Sequence, residues 1–465
     1  MSIPHSTHGV CVDDLLERAA SVANLAMLRT YVEPAHIQIA AIEVYTPLLE
    51  SKLVSLHPND PSNRKRVLAQ LDIHRSILAP IRRLPVELLS EIFFQAAYES
   101  PLQTLQVAVT IARVCSIWRR VAHSRRGLWT RVVVRSLRDF QKYVELFLPL
   151  AKDDLLDLRC DNHRILRSLW EFIEVYASQW RFISFEGRLR TLPDLKVLFM
   201  ENLERLVVDA YDAPASSELS ALDFIIAPDL RRIALTLDEL QDARQLHVPV
   251  TRALTSLEIT TESPFPVTHT LPLLKACANT LQSLTIRIRH PLDGPEGSYS
   301  TTASDTFVMG ALTYLRLVDP ACALINHITA PLIEELILSN VPEYGTRSLY
   351  GFLTRGQASH HLEVLRVYQP DERDVAAWRP CIQLMNNLKD LHFDDLLSNV
   401  EFLKQMTRHE DQAPILPALQ NVAICRVFWA HEELHDIIGD MCASRSKEVV
   451  IGGETAYELL GWIKD

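Results

Sequence analysis

A short unit of three apolar residues, spaced as apolar-x-x-apolar-x-apolar, recurs through the C-terminal part of the chain. Nine copies begin at Leu203, Leu230, Leu254, Leu281, Leu312, Ile333, Leu362, Leu388 and Leu419. Successive copies start 21 to 31 residues apart, 27 on average, and weaker copies fit around Leu158, Trp180 and Ile451. Alternating apolar residues predict a short strand with one buried face. Because one such strand cannot bury that face alone, the near-constant step predicts a stack of strands.

The unit and its step resemble the leucine-rich repeat. The resemblance implies one strand per copy, with spacers that are often helical, as the pattern of residues 269–280 indicates. One feature departs from the family: the Asn or Cys usual three residues after the last apolar position is absent from all nine copies. We therefore expect an irregular stack with variable repeats.

A second constraint lies in residues 81–129, where two helices are predicted. The first begins at Pro85, where a missing N–H has no cost in the first helical turn. Its polar residues form one narrow stripe, consisting of Glu87, Ser90, Glu91 and Gln95. Since a surface helix needs an apolar stripe of only about 100°, this helix has apolar surface to spare. The second predicted helix runs from Ile111 to His123, with arginines between its apolar residues.

The order of these residues resembles the F-box family, through residues 84–89 (LPVELL), 92–93, 114–119 (VCSIWR) and 128–129. The preceding residues 74–83 are similar to the lead-in of fungal F-box proteins. The resemblance implies docking on a Skp-type adaptor subunit of a cullin–RING ubiquitin ligase. It assigns this contact to Leu84, Pro85, Leu88, Leu89, Ile92, Phe93, Val114, Cys115 and Trp118.

The predicted fold class is an α+β chain of the α/β-solenoid type. Its three expected regions are an N-terminal helical region (1–80), an F-box-like domain (81–130) and an irregular leucine-rich-repeat stack (131–465). In the first region, Pro34 should separate two helices, Pro47 should kink or end the second, and Pro80 should end the third. Whether these helices associate with a second copy is open. A short C-terminal helix around residues 455–462 should seal the stack.

The charge distribution indicates the kind of partner. The chain carries a net charge of −11, yet residues 64–138 hold fourteen basic and four acidic residues. Because this block lacks the interleaved exposed aromatics of a single-strand binder, an acidic protein partner is favoured over nucleic acid. Eight scattered cysteines, the lack of a long apolar run and the lack of a basic-then-apolar leader predict a cytoplasmic or nuclear protein, without disulfide framework or membrane span.

Motifs for chemistry are few. The sequence has no Gly-rich phosphate loop and no G-x-S-x-G motif. Residues 431–435 match H-E-x-x-H, so a zinc peptidase with ligands His431 and His435 and base Glu432 is a rival hypothesis. The segment lies in a spacer between two repeats and has no domain of its own. We therefore expect no enzyme activity, no cofactor and no metal.

The resulting hypothesis is a substrate-recognition adaptor of an SCF-type ubiquitin ligase. Its repeat stack would hold an unidentified target protein through residues between the buried strand positions. The candidates for this surface are Glu258, Tyr314, Arg316, Arg366, Tyr368, Asp390, His392 and Asp394. The alternative, a repeat-based binding scaffold outside any ubiquitin ligase, shares every repeat feature and differs only in the partner of residues 81–129.

Overall fold

A computed structural model describes most of the chain. The described residues are 11–30, 34–99, 103–188, 197–211, 225–237, 248, 251–261, 266–288, 306–341, 345–370, 378–394, 407, 415–425 and 450–452. They divide into two compact units, Met1–Asp157 and Leu158–Asp465.

The first unit begins with four helices: α1 Val12–Val22, α2 Leu25–Thr30, α3 His36–Ser55 and α4 Pro61–Leu78. The helix α4 starts as its sequence dictates, since Asp60 accepts the Asn63 N–H at 3.2 Å and Pro61 occupies the first position. Of the two outcomes expected at Pro47, a kink or an end of the helix, the end is wrong, because α3 continues for eight residues beyond it. Ile42 and Leu49, on either side, are fully buried, and this packing outweighs the missing hydrogen bond.

Side-chain donors hold the ends of α1 and α2. Gln70 donates to the Ala23 carbonyl at 2.6 Å, and His74 Nε2 donates to the Ala19 carbonyl at 3.2 Å. The Ala23 carbonyl belongs to the residue that caps the C-terminal end of α1, and the Ala19 carbonyl, in the last turn, also accepts the Ala23 N–H at 3.0 Å. Arg82 donates in the same way to the carbonyl of Leu28 in α2 at 2.8 Å. The polar residues of α4 and of the segment after it therefore fix the directions of the two shorter helices.

The remaining elements of the first unit are α5 Val86–Tyr98, α6 Thr104–Val114, α7 Ser116–Ser124, β1 Arg131–Val134, α8 Leu137–Leu146 and α9 Leu148–Ala151. The predicted helix from Ile111 to His123 is thus two helices, and α6 begins seven residues before the expected start. The break falls at Cys115, which is extended at φ −157°. Its Sγ accepts the Trp118 N–H at 3.5 Å and so caps α7.

Parallel strands dominate the second unit. The strands are β2 Leu156–Cys160 (which spans the boundary between the units), β3 Trp180–Arg188, β4 Leu198–Phe199, β5 Arg205–Tyr211, β6 Ile225–Ile226, β7 Arg232–Leu237, β8 Ser256–Thr261, β9 Ser283–Ile288, β10 Phe307–Val308, β11 Tyr314–Val318, β12 Ile328–Thr329, β13 Glu335–Val341, β14 Val364–Pro370, β15 Asp390–Asp394, β16 Asn421–Cys425 and β17 Val450–Gly452. The helices are α10 Leu166–Val175, α11 Leu271–Ala276, α12 Gly345–Thr354 and α13 Trp378–Leu384.

Within the described part of this unit, eleven of the strands form one parallel sheet in the order β3-β5-β7-β8-β9-β11-β13-β14-β15-β16-β17. All nine predicted copies form strands, and each strand begins two residues after the first apolar residue of its copy. One line of apolar residues crosses the sheet in register: Ile183, Leu206, Ile233, Leu257, Leu284, Leu315, Leu336, Leu365, Leu391, Val422 and Ile451. The structure therefore confirms the predicted strand at each copy, and the strands lie side by side in the order of the copies.

The backbone between copies follows a repeated pattern. Before β7, the Leu230 N–H donates to the Ala227 carbonyl at 3.2 Å, with Pro228 second in the turn. Pro331 and Pro417 hold the same position before β13 and β16, where the fixed φ of proline suits a turn. The predicted spacer helix of residues 269–280 is confirmed by α11 and the short 3₁₀ helix before it.

Strand entry satisfies the backbone in a regular way. The Glu204 carbonyl accepts two N–H groups from the next copy, those of Arg231 at 2.9 Å and Arg232 at 3.0 Å. The same two-donor pattern recurs at the carbonyls of Arg231, Thr255, Gln282, Thr313, Glu334, Glu363 and Lys389. These bonds give each copy a common register to the next one without the Asn ladder of the leucine-rich repeat.

The C-terminal end of the sheet lies at the limit of the described residues. The last strand ends at Gly452, and the predicted C-terminal capping helix lies outside the described residues. Across the part of the chain that the structure describes, no helix combines the length and the apolarity that a membrane span requires.

Candidate functional site

Helix α5 divides its apolar residues between two sides. Leu89 and Phe93 are buried, at 0% and 2% exposure, and they form the inner side of the helix with Ala97. Leu88 and Ile92, one turn apart on another side, are 54% and 44% exposed. We call Leu88 and Ile92 the exposed α5 face. Two large aliphatic side chains in water are unfavourable by roughly 1.5–3 kcal/mol each relative to full burial.

Leu89 and Phe93 are the two expected contact residues that are buried in this structure. Both were expected to contact the adaptor, but their side chains lie in the core of their own unit and have no surface to offer. Trp118 is half-buried and packs on Phe93, with ring centroids 4.8 Å apart. It therefore supports α5 from behind as well as offering part of its ring.

The other predicted contact residues differ in exposure. Pro85 is exposed and Leu84 half-buried, immediately before α5. Val114 is 57% exposed at the end of α6, and Cys115 is half-buried where it caps α7. The sequence analysis missed one exposed residue of this kind, Val86 at 47%, which the family pattern of α5 already contained.

A buried tryptophan fixes α7 relative to the helices that follow. Trp129 is fully buried, and its Nε1 donates to the Ala122 carbonyl at 2.8 Å. Its own carbonyl accepts the Tyr143 hydroxyl at 2.6 Å, and its ring stacks on Phe147 with centroids 5.4 Å apart. Burial, with a smaller contribution from Asp157, raises the pKa of Tyr143 well above its usual value, so the hydroxyl stays a donor. Trp129 therefore supports the module from inside.

Several arginines of the basic block are engaged internally. Arg125 lies over the Phe94 ring at 4.7 Å and pairs with Glu91 at 3.1 Å. Arg131 lies over the ring of Tyr98 at 4.5 Å. By contrast, three exposed arginine side chains within residues 81–135 make neither an ion pair nor a hydrogen bond with a described residue: Arg83, Arg113 and Arg120. The charge available to a partner is thus smaller than the composition of the block predicts.

The second candidate surface lies on the large sheet. Six of the predicted residues fall on three strands, with Tyr314 and Arg316 on β11, Arg366 and Tyr368 on β14, and Asp390 and His392 on β15. Between β11 and β14 lies β13, which contributes Glu335 and Ile337. We call these eight residues the sheet cluster.

Two predicted residues stand apart from the sheet cluster. Glu258 is exposed on β8, two strands from β11, with β9 between them. The backbone of Asp394 pairs with Cys425, but its side chain lies outside the described part of the structure.

Ion pairing and burial determine the charge and the exposure of the sheet cluster. Arg366 pairs with Glu335 at 2.5 Å, and the Tyr368 ring lies 4.9 Å from the imidazole of His392. Ile337 and His392 are only 4% and 7% exposed. Burial, and next the charge of Arg366, lowers the pKa of His392 to about 4, so the imidazole is neutral at pH 7.

Burial also raises the pKa of Tyr314, with Glu335 adding to the effect and Arg316 opposing it. Its phenol therefore remains protonated at pH 7 and able to donate. The importance of Glu335 was not apparent from the sequence. The signal was the repeat register, which places Glu335 directly beside Tyr314 on the neighbouring strand.

The residues of the H-E-x-x-H match, His431, Glu432 and His435, lie outside the described residues. Among the described residues, no group of three or more His, Cys, Asp or Glu side chains could hold a metal ion. The described cysteines are all free thiols, four of them buried.

Comparison with known proteins gives one result for the first surface. A search of curated proteins found no significant match to the chain. The family model of the F-box-like domain matches residues 81–135, which contain α5, α6, α7 and β1. Since this segment is about an eighth of the chain, the match describes the helical module that presents the exposed α5 face: residues 81–135 are an F-box-like domain, a module of protein–protein interaction.

Proposed function

We propose that this chain is the substrate-recognition adaptor of an SCF-type ubiquitin ligase. Residues 81–135 would dock on a Skp-type subunit, and the parallel sheet would hold a target protein. The observation that carries the proposal is the exposed α5 face. Leu88 and Ile92 stay in water while their neighbours Leu89 and Phe93 are buried, and this occurs inside the segment that matches the F-box-like domain.

Charge supports the choice of partner. Arg83, Arg113 and Arg120 are exposed in the same domain and have no ion-pair partner among the described residues. Unpaired cations in the domain that also presents an apolar face favour an acidic protein, because complementary charge speeds association and disfavours wrong partners. We propose contact by Leu84, Pro85, Leu88, Ile92, Val114 and Trp118, with Leu89 and Phe93 supporting these residues from the core.

We further propose that the second unit is an irregular leucine-rich-repeat stack of the fungal F-box type. Its support is the run of in-register strands, each at the same place in its copy. In this function the chain makes and breaks no bond. It holds a target close to the ligase, which converts a bimolecular encounter into a local one. Its location would follow that of the ligase, in the cytoplasm, the nucleus or both.

The test is binding of a purified Skp-type subunit to the full chain. Leu88→Asp places a charge in the exposed α5 face, and we expect at least a 10-fold loss of affinity by calorimetry or surface plasmon resonance. The matched control is Leu25→Asp, because Leu25 in α2 is 50% exposed, close to the value for Leu88. The control should bind as the unchanged protein does.

Circular dichroism of both variants separates lost binding from lost folding. Leu88 is 54% exposed and Leu25 is 50% exposed. Neither substitution should therefore unfold the helices. If Leu88→Asp binds the subunit normally, the docking assignment is wrong. The scaffold outside any ubiquitin ligase is then the better description of the chain.

A further inference from the structure

One positive charge of the sheet cluster has no counter-charge. Arg366 is paired with Glu335, but Arg316 makes no ion pair with any described residue. Its side chain hydrogen-bonds to that of Tyr314, a neutral phenol. Its Nε is buried and has no hydrogen-bond partner among the described residues. A buried N–H donor without an acceptor is rare in folded proteins, and it indicates a place for one.

The floor beside Arg316 is apolar. In the sheet register, Ile337 of β13 lies between Arg316 and Arg366. Adjacent strands are about 4.8 Å apart, which puts the backbones of the two arginines roughly 10 Å from each other. Ile337 is 4% exposed, so the floor is shielded from water and an ion pair formed on it is screened less than at an open surface.

A second unmet polar atom lies further along the same line of residues. His392 of β15 lies beside Arg366 in the register and is only 7% exposed. Within the part of the chain that the structure describes, its Nε2 has no hydrogen-bond partner. A neutral imidazole can donate or accept at this atom, so it suits a peptide group as well as a side chain. Arg316 and His392 thus mark the two ends of a strip that crosses β11, β13, β14 and β15.

We propose that this strip binds an extended peptide segment of the target protein, with a carboxylate side chain of that segment on Arg316. The proposal rests on the proposed function in one respect, that the sheet holds the target. The single uncompensated charge selects a monoanion. Glu335, close to the strip and already paired with Arg366, disfavours a second negative charge and therefore a phosphate group. Tyr314 and Tyr368 add the aromatic surface typical of binding sites.

The probes are three fluorescein-labelled glycine-serine octapeptides that differ at one central residue, which is glutamate (the Glu peptide), glutamine (the Gln peptide) or phosphoserine (the phosphoserine peptide). Binding to the full chain at 150 mM salt is followed by fluorescence anisotropy. We expect the Glu peptide to bind and the Gln peptide not to. Arg316→Gln should weaken binding of the Glu peptide at least 10-fold, and Arg316→Lys should restore part of it. The matched control is Arg287→Gln on β9, which removes an exposed arginine of the same sheet and should change binding less than 2-fold.

The basic residues of the F-box-like domain also attract acidic peptides, so a site-resolved measurement is needed. Phenylglyoxal modifies arginines, and mass spectrometry locates the modified positions. The Glu peptide should protect Arg316 and leave Arg287 reactive. The proposal is overturned if Arg316 is not protected, if both Gln variants lose binding equally, or if only the phosphoserine peptide protects Arg316.

The same preparations keep the two proposals separate. Arg316→Gln should still bind the Skp-type subunit with unchanged affinity, because Arg316 lies in the second unit. If the unchanged chain does not bind the subunit but the Glu peptide protects Arg316, the ligase function fails and the peptide site stands. If the subunit binds and Arg316 is unprotected, the peptide site fails and the docking stands.

Discussion

The F-box-like domain and the parallel sheet leave opposite kinds of residue at their surfaces. In α5, Leu88 and Ile92 remain exposed, whereas the nearby cations Arg125 and Arg131 are engaged with aromatic rings. In the sheet, the register line of apolar residues is buried to 1% exposure or less wherever its exposure is described. There the buried polar atoms without a hydrogen-bond partner among the described residues include one on a cation, the Nε of Arg316.

The difference follows from how each region buries its own residues. A strand in the stack has a neighbour on each side and a repeated two-donor bond at its entry, so every copy buries the same positions. A helix in a small domain has several sides and only a few neighbours. What the helix does not bury stays available for contact with another molecule. The helical surface therefore favours an apolar partner contact, and the sheet a polar one with charge selectivity.

Leu336 and Leu88 give the largest contrast. Leu336, in the register line on β13, is fully buried, and Leu88 is 54% exposed. Leu336→Ala should reduce the free energy of unfolding of the second unit by about 2–5 kcal/mol, through lost burial and a cavity. Leu88→Ala should change that of the first unit by less than about 0.5 kcal/mol. Hydrogen exchange followed by mass spectrometry resolves the two units, and equal effects would contradict the contrast.

Gly356 tests whether the sheet unit depends on special backbone positions as well as on its repeats. It has φ +65°, and a Cβ there would lie 2.5 Å from Thr329 Cγ2. Gly356→Ala should therefore cost about 2 kcal/mol, from the left-handed conformation and the clash. The control is Gly310→Ala, because a Cβ at Gly310 meets no atom within 4 Å. Urea unfolding of both variants gives the comparison, and a neutral Gly356→Ala would show that the turn can relax.

The sequence predicted the sheet better than the helical domain, and the reason is physical. Each copy of the unit has the same spacing of apolar residues. The strands and their order can therefore be predicted from that spacing alone. In the helices the outcome depends on neighbours distant in sequence. Pro47 remains inside α3 because Ile42 and Leu49 are both packed, which no local rule shows. The break at Cys115 depends on its extended backbone and its bond from Trp118.

The candidate sites show the same limit. Helical spacing revealed surplus apolar surface on α5, but it could not tell that Leu89 and Phe93 face inward while Leu88 and Ile92 face water. That division is decided by the partners of α5, not by α5. In the sheet, the positions between the apolar residues were predictable from the sequence. The Arg366–Glu335 pair was not, because it depends on the register of strands that bring together two residues 31 positions apart in the chain.

The smallest expected effect is a loss of stability at low pH. The two units should differ in the pH range over which this loss occurs. Burial lowers the pKa of His74, despite hydrogen bonds that favour its charged form. In the unfolded chain its pKa is about 6.5, so below that pH the unfolded state takes up a proton that the folded state resists. The stability contributed by neutral His74 is present above pH 6.5 and is lost as the pH falls towards its lowered folded value. For His392 the same loss continues down to about pH 4.

Hydrogen exchange at pH 7.5, 6.0 and 5.0, corrected for intrinsic exchange rates, should show α4 losing protection as the pH falls. His74→Gln keeps a hydrogen-bond donor and removes the titration, so the pH dependence of α4 should flatten in that variant while that of β15 is unchanged. If α4 keeps its pH dependence in His74→Gln, another group of the first unit titrates, and the buried histidine is only a structural donor to the Ala19 carbonyl.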